Sequence, residues 1–428
     1  MASDTLTTLQ NGLKRNYAPV MAKATLLNNN MFRLFQDVSK GLKMGGQDWA
    51  LYQPIKTRHS FGGGSGSEGG DFSPLDTMGI GQWQLGVARK HVSAGLTGDV
   101  IDNIRKAPNL SYFEPIISTA MDGIKDTLGV SLGWQIFGKG DGALCRVDTG
   151  QGAITATGFY VDNPGPEWLQ EGMMVQAYDN NTTGGTKQLT ASSFAFQRIS
   201  ALTYDAATGK THVTITDTTG LSDNDFIYQR GDYGLTALTG LLAMVDDGTN
   251  MATFQGVDRT DAANSWAKAH VFNANSAALN ESLVMSVFEQ LVKRSPTKKI
   301  THIVCDPTSF NWLALTLVDR QRFEGTKLMG GWSTIRYQTP FGDVEITPDP
   351  LCPSGYIFFL DANELGLGWG TKPGGQWFDE GGDVLKPEPS SSSGTGYKDN
   401  WVMTWRAILQ AMLAVPKSCA VMYGYTAP

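Results

Sequence analysis

Glycine-rich turns beside lysine, and polar loops rich in Asp, Asn and Thr, are where this sequence could do chemistry. Gly64, Gly66 and Gly69 match GxGxxG, the backbone cradle of a dinucleotide pyrophosphate. They stand in a Gly/Ser stretch with no helix following, so the helix N-terminus that would hold the phosphates is missing. The run Gly133 to Gly140 (GWQIFGKG) nearly matches a phosphate loop, but it lacks the Ser/Thr that would bind magnesium. It also closes a helical pattern where a phosphate loop opens one. In TGKT (Thr208 to Thr211) the first glycine of such a loop is replaced by Tyr204. The stretch from Asp179 (DNNTTG) imitates a calcium loop, yet Thr190 holds the final Glu position, so a simple turn is the better reading.

Constellations of nucleophiles and ligands are also missing. The histidines (His59, His91, His212, His270, His302) form no ligand-like pair, and neither HExxH nor GxSxG occurs. The cysteines (Cys145, Cys305, Cys352, Cys419) are far apart with no CxxC, which suits free thiols in a reducing compartment. Carboxylate neighbours such as Asp246 and Asp247 are abundant, but sequence cannot place two of them across a substrate. No cofactor, metal site or catalytic residue is expected.

The chain of 428 residues is long enough for two or three domains, and at 41% hydrophobic and 18% charged it can bury a real core. Fifty glycines and eleven tryptophans suit turn-rich β structure with large packing surfaces. A net charge of -7 argues against a dedicated nucleic-acid binder, though not against lining a DNA-filled space. There is no apolar run of membrane-spanning length and no signal-peptide core, so a soluble, non-secreted protein is expected.

The elements that would position any functional surface run as follows. Residues 1–47 form a polar arm carrying Lys14, Arg15, Lys23, Arg33, Lys40 and Lys43 against Asp4 and Asp37. A basic arm on an acidic protein suggests contact with a neighbour's acidic surface or with nucleic acid; the alternative is a solvated terminus. In residues 48–95, strand-like runs Trp49 to Ser60 and Trp83 to Ser93 flank FGGGSGSEGGDF. They read as a long hairpin with a loosely structured tip, or else as an interdomain linker. Residues 96–143 carry a short helix (Asp99 to Lys106), a possible capping box at Ser111 to Glu114, and one long amphipathic helix. In that helix Phe113, Ile117, Ala120, Ile124, Leu128, Leu132 and Ile136 recur at steps of three or four, up to the stop GKGDG.

Residues 144–233 change texture. Short alternating runs (ITATGFYV, MMVQAY, FQRISALTY, THVTITD) separated by turn clusters predict a small inserted antiparallel β domain, a barrel or a sandwich. Residues 234–396 mix periods: a helix over Ser276 to Arg294, a buried strand over Ile300 to Asp306, a helix in PTSFNWLALTLVDRQR, then strands in FGDVEITPDP and YIFFLDANEL. Residues 397–428 contain NWVMTWRAILQAMLAV, which by pattern alone is strand or helix.

The ordered succession of these parts resembles the major capsid proteins of tailed bacteriophages, with the α+β Hong Kong 97-like fold. There the parts are the N-arm, the E-loop and the spine helix of a peripheral domain. IFGKGDGAL (Ile136 to Leu144) is similar to the family's helix exit, and FQGVDRT (Phe254 to Thr260) resembles its re-entry to the axial domain. ITHIVCDPTSFNWL, FGDVEITPDP and YIFFLDANELGL look like axial elements. The final stretch resembles the closing peripheral strand, and on that ground it is expected to be a strand. The individual motifs are soft, and the β-rich segment is longer than the minimal fold requires.

The resemblance implies a structural role: self-assembly through hexamers and pentamers into an icosahedral shell around double-stranded DNA in the virion, built in the bacterial host cytoplasm. It further implies scaffolding, portal and decoration proteins as partners. The E-loop residues Lys56, Arg58, Phe61 and Phe72 would contact a neighbouring subunit. The arm residues Lys14, Arg15, Lys23 and Arg33 would face a subunit or the lumen. Some relatives join an E-loop Lys to a neighbour's Asn with help from a Glu; Lys56 is the one lysine before the tip, and no Asn or Glu can be assigned to it. Competing readings are an encapsulin-like nanocompartment shell and a carbohydrate-binding β protein. The last would need exposed tryptophans in one groove, whereas Trp134, Trp312 and Trp405 are expected in packing.

Overall fold

In this computed structural model the described residues are 31–37, 43–44, 50–58, 77–99, 114–162, 165–181, 184–189, 196–205, 210–234, 237–295, 299–318, 327–329, 332–340, 342–372, 375–379, 383–389 and 397–427. They form α+β structure in two units, one comprising residues 1–34, 88–134 and 369–409, the other residues 35–87, 135–368 and 410–428. The expected short helix beyond Asp99, the Ser111 end of the capping box, the Gly/Ser tip and the Ser-rich part of the loop before Tyr397 lie outside the described residues.

The first unit is organised by the strand Tyr397–Leu413, which pairs antiparallel with Ala88–Thr97 from Asn400↔Thr97 to Leu409↔Ala88. Gln376–Trp377 and Leu385–Pro389 pair with the same strand. Trp405 is fully buried, and its ring meets that of Trp377 edge-on at 4.9 Å. Gly375 makes this possible. Its φ of +98° belongs to glycine, and a Cβ there would stand 2.6 Å from the Trp405 Nε1. The long helix Glu114–Gln135 buries Ile124, Leu128 and Leu132 of the predicted stripe; Met121 is buried in place of the predicted Ala120, which is half-buried. It stops where expected: Gly140 and Gly142 take positive φ.

The second unit holds a seven-stranded mixed sheet in the order His270–Asn273, Ala420–Tyr423, Tyr356–Leu360, His302–Cys305, Gly342–Pro348, Trp332–Thr339, Lys327–Met329. The first pair and the His302–Cys305/Gly342–Pro348 pair are parallel. Helices Glu281–Arg294 and Pro307–Val318 contribute to the same apolar core, where Val284, Val287, Phe288 and Leu291 join Ile303, Ile346 and Phe359. The first of these helices begins later than the predicted Ser276. Asn275 and Ser276 take positive φ, and the Asn280 side chain accepts the Leu283 N–H at 2.8 Å as the N-cap.

The β-rich segment is antiparallel and consists of two small sheets. One runs Ala201–Asp205, Lys210–Thr214, Gly158–Val161; the other runs Ala143–Arg146, Phe226–Gln229, Met174–Tyr178, Gln197–Arg198. It is tied into its unit by side chains: Trp168 Nε1 donates to the Leu351 carbonyl at 2.8 Å, and Glu167 accepts the Ser354 N–H at 3.0 Å.

Candidate assembly surfaces

The hairpin is present, and its pairing explains its shape. Ala50–Arg58 runs antiparallel to Gly79–Gly86, with Lys43–Met44 added beside the first strand. The predicted second run, Trp83 to Ser93, is not one strand. It divides at Val87: residues up to Gly86 stay in the hairpin, and Ala88–Thr97 pairs with Tyr397–Leu413 instead. The strand period then sorts its side chains. Trp83 and Leu85 are buried, while Ile80, Gln82, Gln84 and Gly86 are exposed.

The root of the hairpin is fixed by aromatic packing. Trp83 has no exposed surface, donates through Nε1 to the Ala414 carbonyl at 3.2 Å, and lies 4.8 Å from the Trp266 ring and 5.7 Å from Phe254. The Gln84 N–H donates to the Gln255 carbonyl at 2.8 Å. Gln255 and Gly256 form the tight turn of a two-strand ribbon, Thr253–Phe254 with Val257–Asp258, and both have positive φ. Arg259 follows, fully buried. It donates to the carbonyls of Ala267 (2.9 Å), Ala243 (2.6 Å) and Met244 (2.8 Å), with its guanidinium over the Phe254 ring. Burial pulls its pKa down to about 10. FQGVDRT is therefore a built joint, and Arg259 is a residue the sequence reading quoted without seeing its role.

Away from the root the outer face is open to solvent. Lys56 is exposed and paired across the strands with Ile80, which is 71% exposed; Met78 beside it is 48% exposed. Arg58 pairs with Gly79 just past a register shift. Ile80 and Met78 were missed from sequence because nothing in a Gly-rich strand marks which of its two faces is covered. Phe61 and Phe72 lie outside the described residues, as do Lys14, Arg15 and Lys23. Arg33 is described: it closes a short 3-10 turn, Met31–Arg33, and is exposed. Its neighbours Met31, Phe32, Leu34 and Phe35 are buried, and Gln36–Asp37 pairs parallel with Gly366–Leu367. The inner end of the arm is thus anchored by apolar side chains.

Gly64, Gly66 and Gly69 lie outside the described residues, whereas residues of two other motif fragments have local partners. Lys210 is held by Asp162 (2.8 Å) and Asp148 (3.2 Å), and Asp179 accepts the Thr186 N–H as a turn residue. Among the described residues no group of three or more His, Cys, Asp or Glu could hold a metal, and no helix is long and apolar enough to cross a membrane. All four cysteines are buried and free, their thiols pushed up by burial. Trp134 and Trp405 are buried, Trp312 packs against the mixed-sheet core, and no tryptophan whose side chain is described is exposed.

Compared with known proteins, residues 229–384, little more than a third of the chain, match the family model described as SU10 major capsid protein. This family is structural and not enzymatic. No curated protein matches the sequence. Among solved structures, the chain is similar to the cyanophage A-1(L) capsid asymmetric unit (12% identity, 94% of each chain covered, TM-score 0.48). It is also similar to the capsid of a native GTA particle (10% identity, 94% of this chain and 91% of that one, TM-score 0.44). A third is from Mycobacterium phage Bobi (10% identity, 94% and 91%, TM-score 0.41).

Proposed function

We propose, for a chain that is a tailed-phage major capsid protein by the family match across residues 229–384, that its copies close as hexamers and pentamers into an icosahedral shell around double-stranded DNA. That match is the observation that carries the reading. Support comes from the hairpin, which fixes its root on Trp83 and leaves Lys56, Met78 and Ile80 open to another molecule. Repetition of such modest contacts around a symmetric shell gives a stable whole without strong dependence on one of them.

In this reading the hairpin, with Lys56, Arg58, Phe61 and Phe72, lies over a neighbouring subunit. The arm, with Lys14, Arg15, Lys23 and Arg33, reaches under another subunit or faces the lumen. DNA is enclosed without sequence recognition, in keeping with a net charge of -7 overall and a basic arm. Scaffolding, portal and decoration proteins are the expected partners, and the host cytoplasm the place of assembly.

Electron microscopy of the purified chain, alone and with its scaffolding protein, tests the reading. Uniform icosahedral shells are expected, and persistent monomers in both preparations would overturn it. Deleting Phe61 to Phe72 should leave a folded chain that assembles poorly. DNA inside the particles, with no co-purifying cargo enzyme, separates a phage shell from a nanocompartment.

A further inference from the structure

Where the long helix exits into the β-rich segment there is a cavity of about 120 Å³ that the assembly reading does not use. Its wall carries four charged side chains, Lys139, Asp141, Arg146 and Asp162, and two aromatic ones, Trp168 and Phe226. The acids already have partners. Asp162 takes Lys210 at 2.8 Å; Asp141 accepts the Ala143 N–H at 3.1 Å and the Asn181 amide at 3.2 Å. The bases are not matched in this way. Among the described residues neither Lys139 nor Arg146 has a carboxylate within 4.0 Å. Arg146 lies over the Phe226 ring at 4.4 Å.

Lys139 is half-buried; burial lowers its basicity, Asp141 and Asp246 partly oppose this, and Arg146 nearby adds to it. Two cations on one wall with aromatic side chains, Lys139 half-buried and Arg146 exposed, neither of them in an ion pair among the described residues, favour an arriving anion. The flanking Asp141 and Asp162 disfavour a dianion such as phosphate by repulsion. The aromatic floor rewards an apolar stem, and Trp168 is held in place by its bond to Leu351. In size the cavity is near the ~150 Å³ of an engineered apolar cavity that takes up benzene.

We propose that this cavity is a carboxylate-binding site. It takes a compact monocarboxylate with an apolar stem, the oxygens on Lys139 and Arg146 and the stem against Trp168 and Phe226.

The test is calorimetric titration of the full-length, unassembled chain with benzoate and with its neutral isostere benzamide. Benzoate should bind at least about tenfold tighter, the margin of one hydrogen bond to a charged group. Lys139→Met and Arg146→Gln should each weaken benzoate by roughly tenfold with an unchanged melting temperature. Equal binding of benzoate and benzamide, no benzoate binding, or wild-type affinity in both variants would overturn the site. This arm needs no shell, so failure of the assembly reading would leave its outcome standing. Repeating it on assembled shells separates two sources of the same chemistry. Retained binding points to a free solute, and loss of binding on assembly points to an acidic side chain of another copy.

Discussion

Lys56 and Ile80 stand directly opposite each other across the hairpin, and both face solvent. Cross-strand partners sit about 5 Å apart at Cβ, close enough for the lysine stem to lie along the isoleucine. The pair makes a small amphipathic surface with little role in folding. Ile80→Asp should therefore shift unfolding free energy by no more than about 0.5 kcal/mol, while sharply reducing the yield of closed shells. Chemical denaturation and negative-stain particle counts read the two effects separately. Wild-type yields from this variant would remove the outer face from the interface.

At the other end of the hairpin the prediction reverses. Trp83 fills a fully buried site and satisfies the Ala414 carbonyl. Trp83→Ala should cost about 3–5 kcal/mol, and Trp83→Phe less, because the ring packing survives while the N–H bond is lost. A loss below about 1 kcal/mol for the alanine variant in denaturant titration would show that the root is held by something else.

Gly375 allows two effects to be separated. Gly375→Ala imposes both an unfavourable φ and a collision with Trp405, whereas Gly172→Ala imposes a similar φ of +85° with open space around the new methyl. The first should cost about 1–3 kcal/mol more than the second in calorimetric unfolding. Equal costs would mean that the Trp405 indole moves aside freely.

Asp349 supplies a pH dependence. Burial raises its carboxyl to about 6, against the pull of its bond from the Leu351 N–H. Between pH 3.8 and about 6 the folded chain therefore holds a proton that the unfolded chain has released. This group's contribution falls as pH rises through that window and returns on acidification, by an amount on the order of 3 kcal/mol. Asp349→Asn should raise stability at pH 7 and flatten the profile between pH 4 and 6. An unchanged profile in urea titrations across that range would rule the group out.

Much of this fold was legible because its periods were clean. The stripe Ile124, Leu128, Leu132 and the alternation around Trp83 each betray one buried face. The strand Tyr397–Leu413 was not readable by pattern, for a physical reason. Through Trp405 and Ala407 it alternates, but from Ala407 to Leu413 every residue is buried, which erases the two-residue period. Its assignment came from family resemblance. The break at Val87 was hidden because strand character continues on both sides of it, and only the change of pairing partner divides them. Arg259 was hidden because its three acceptors are backbone carbonyls, which leave no mark on side-chain spacing. Lys139 and Arg146 were unremarkable alone, and only the fold brings them to one cavity.

The firm root and open far end of the hairpin make it a cantilever. Trp83 pairs with Gln53, so the five strand residues beyond the joint, Pro54 to Arg58, reach about 17 Å. A rotation of a few degrees where Trp83 sits among Phe254 and Trp266 would then carry Arg58 by roughly 1 Å, the product of that reach and the angle. Rings of five and of six copies differ in the tilt between neighbours. In the shell proposed above, a lever of this kind would take up that difference by flexing, so that a single amino-acid sequence would fit both curvatures while the contacts at its end kept the same partners.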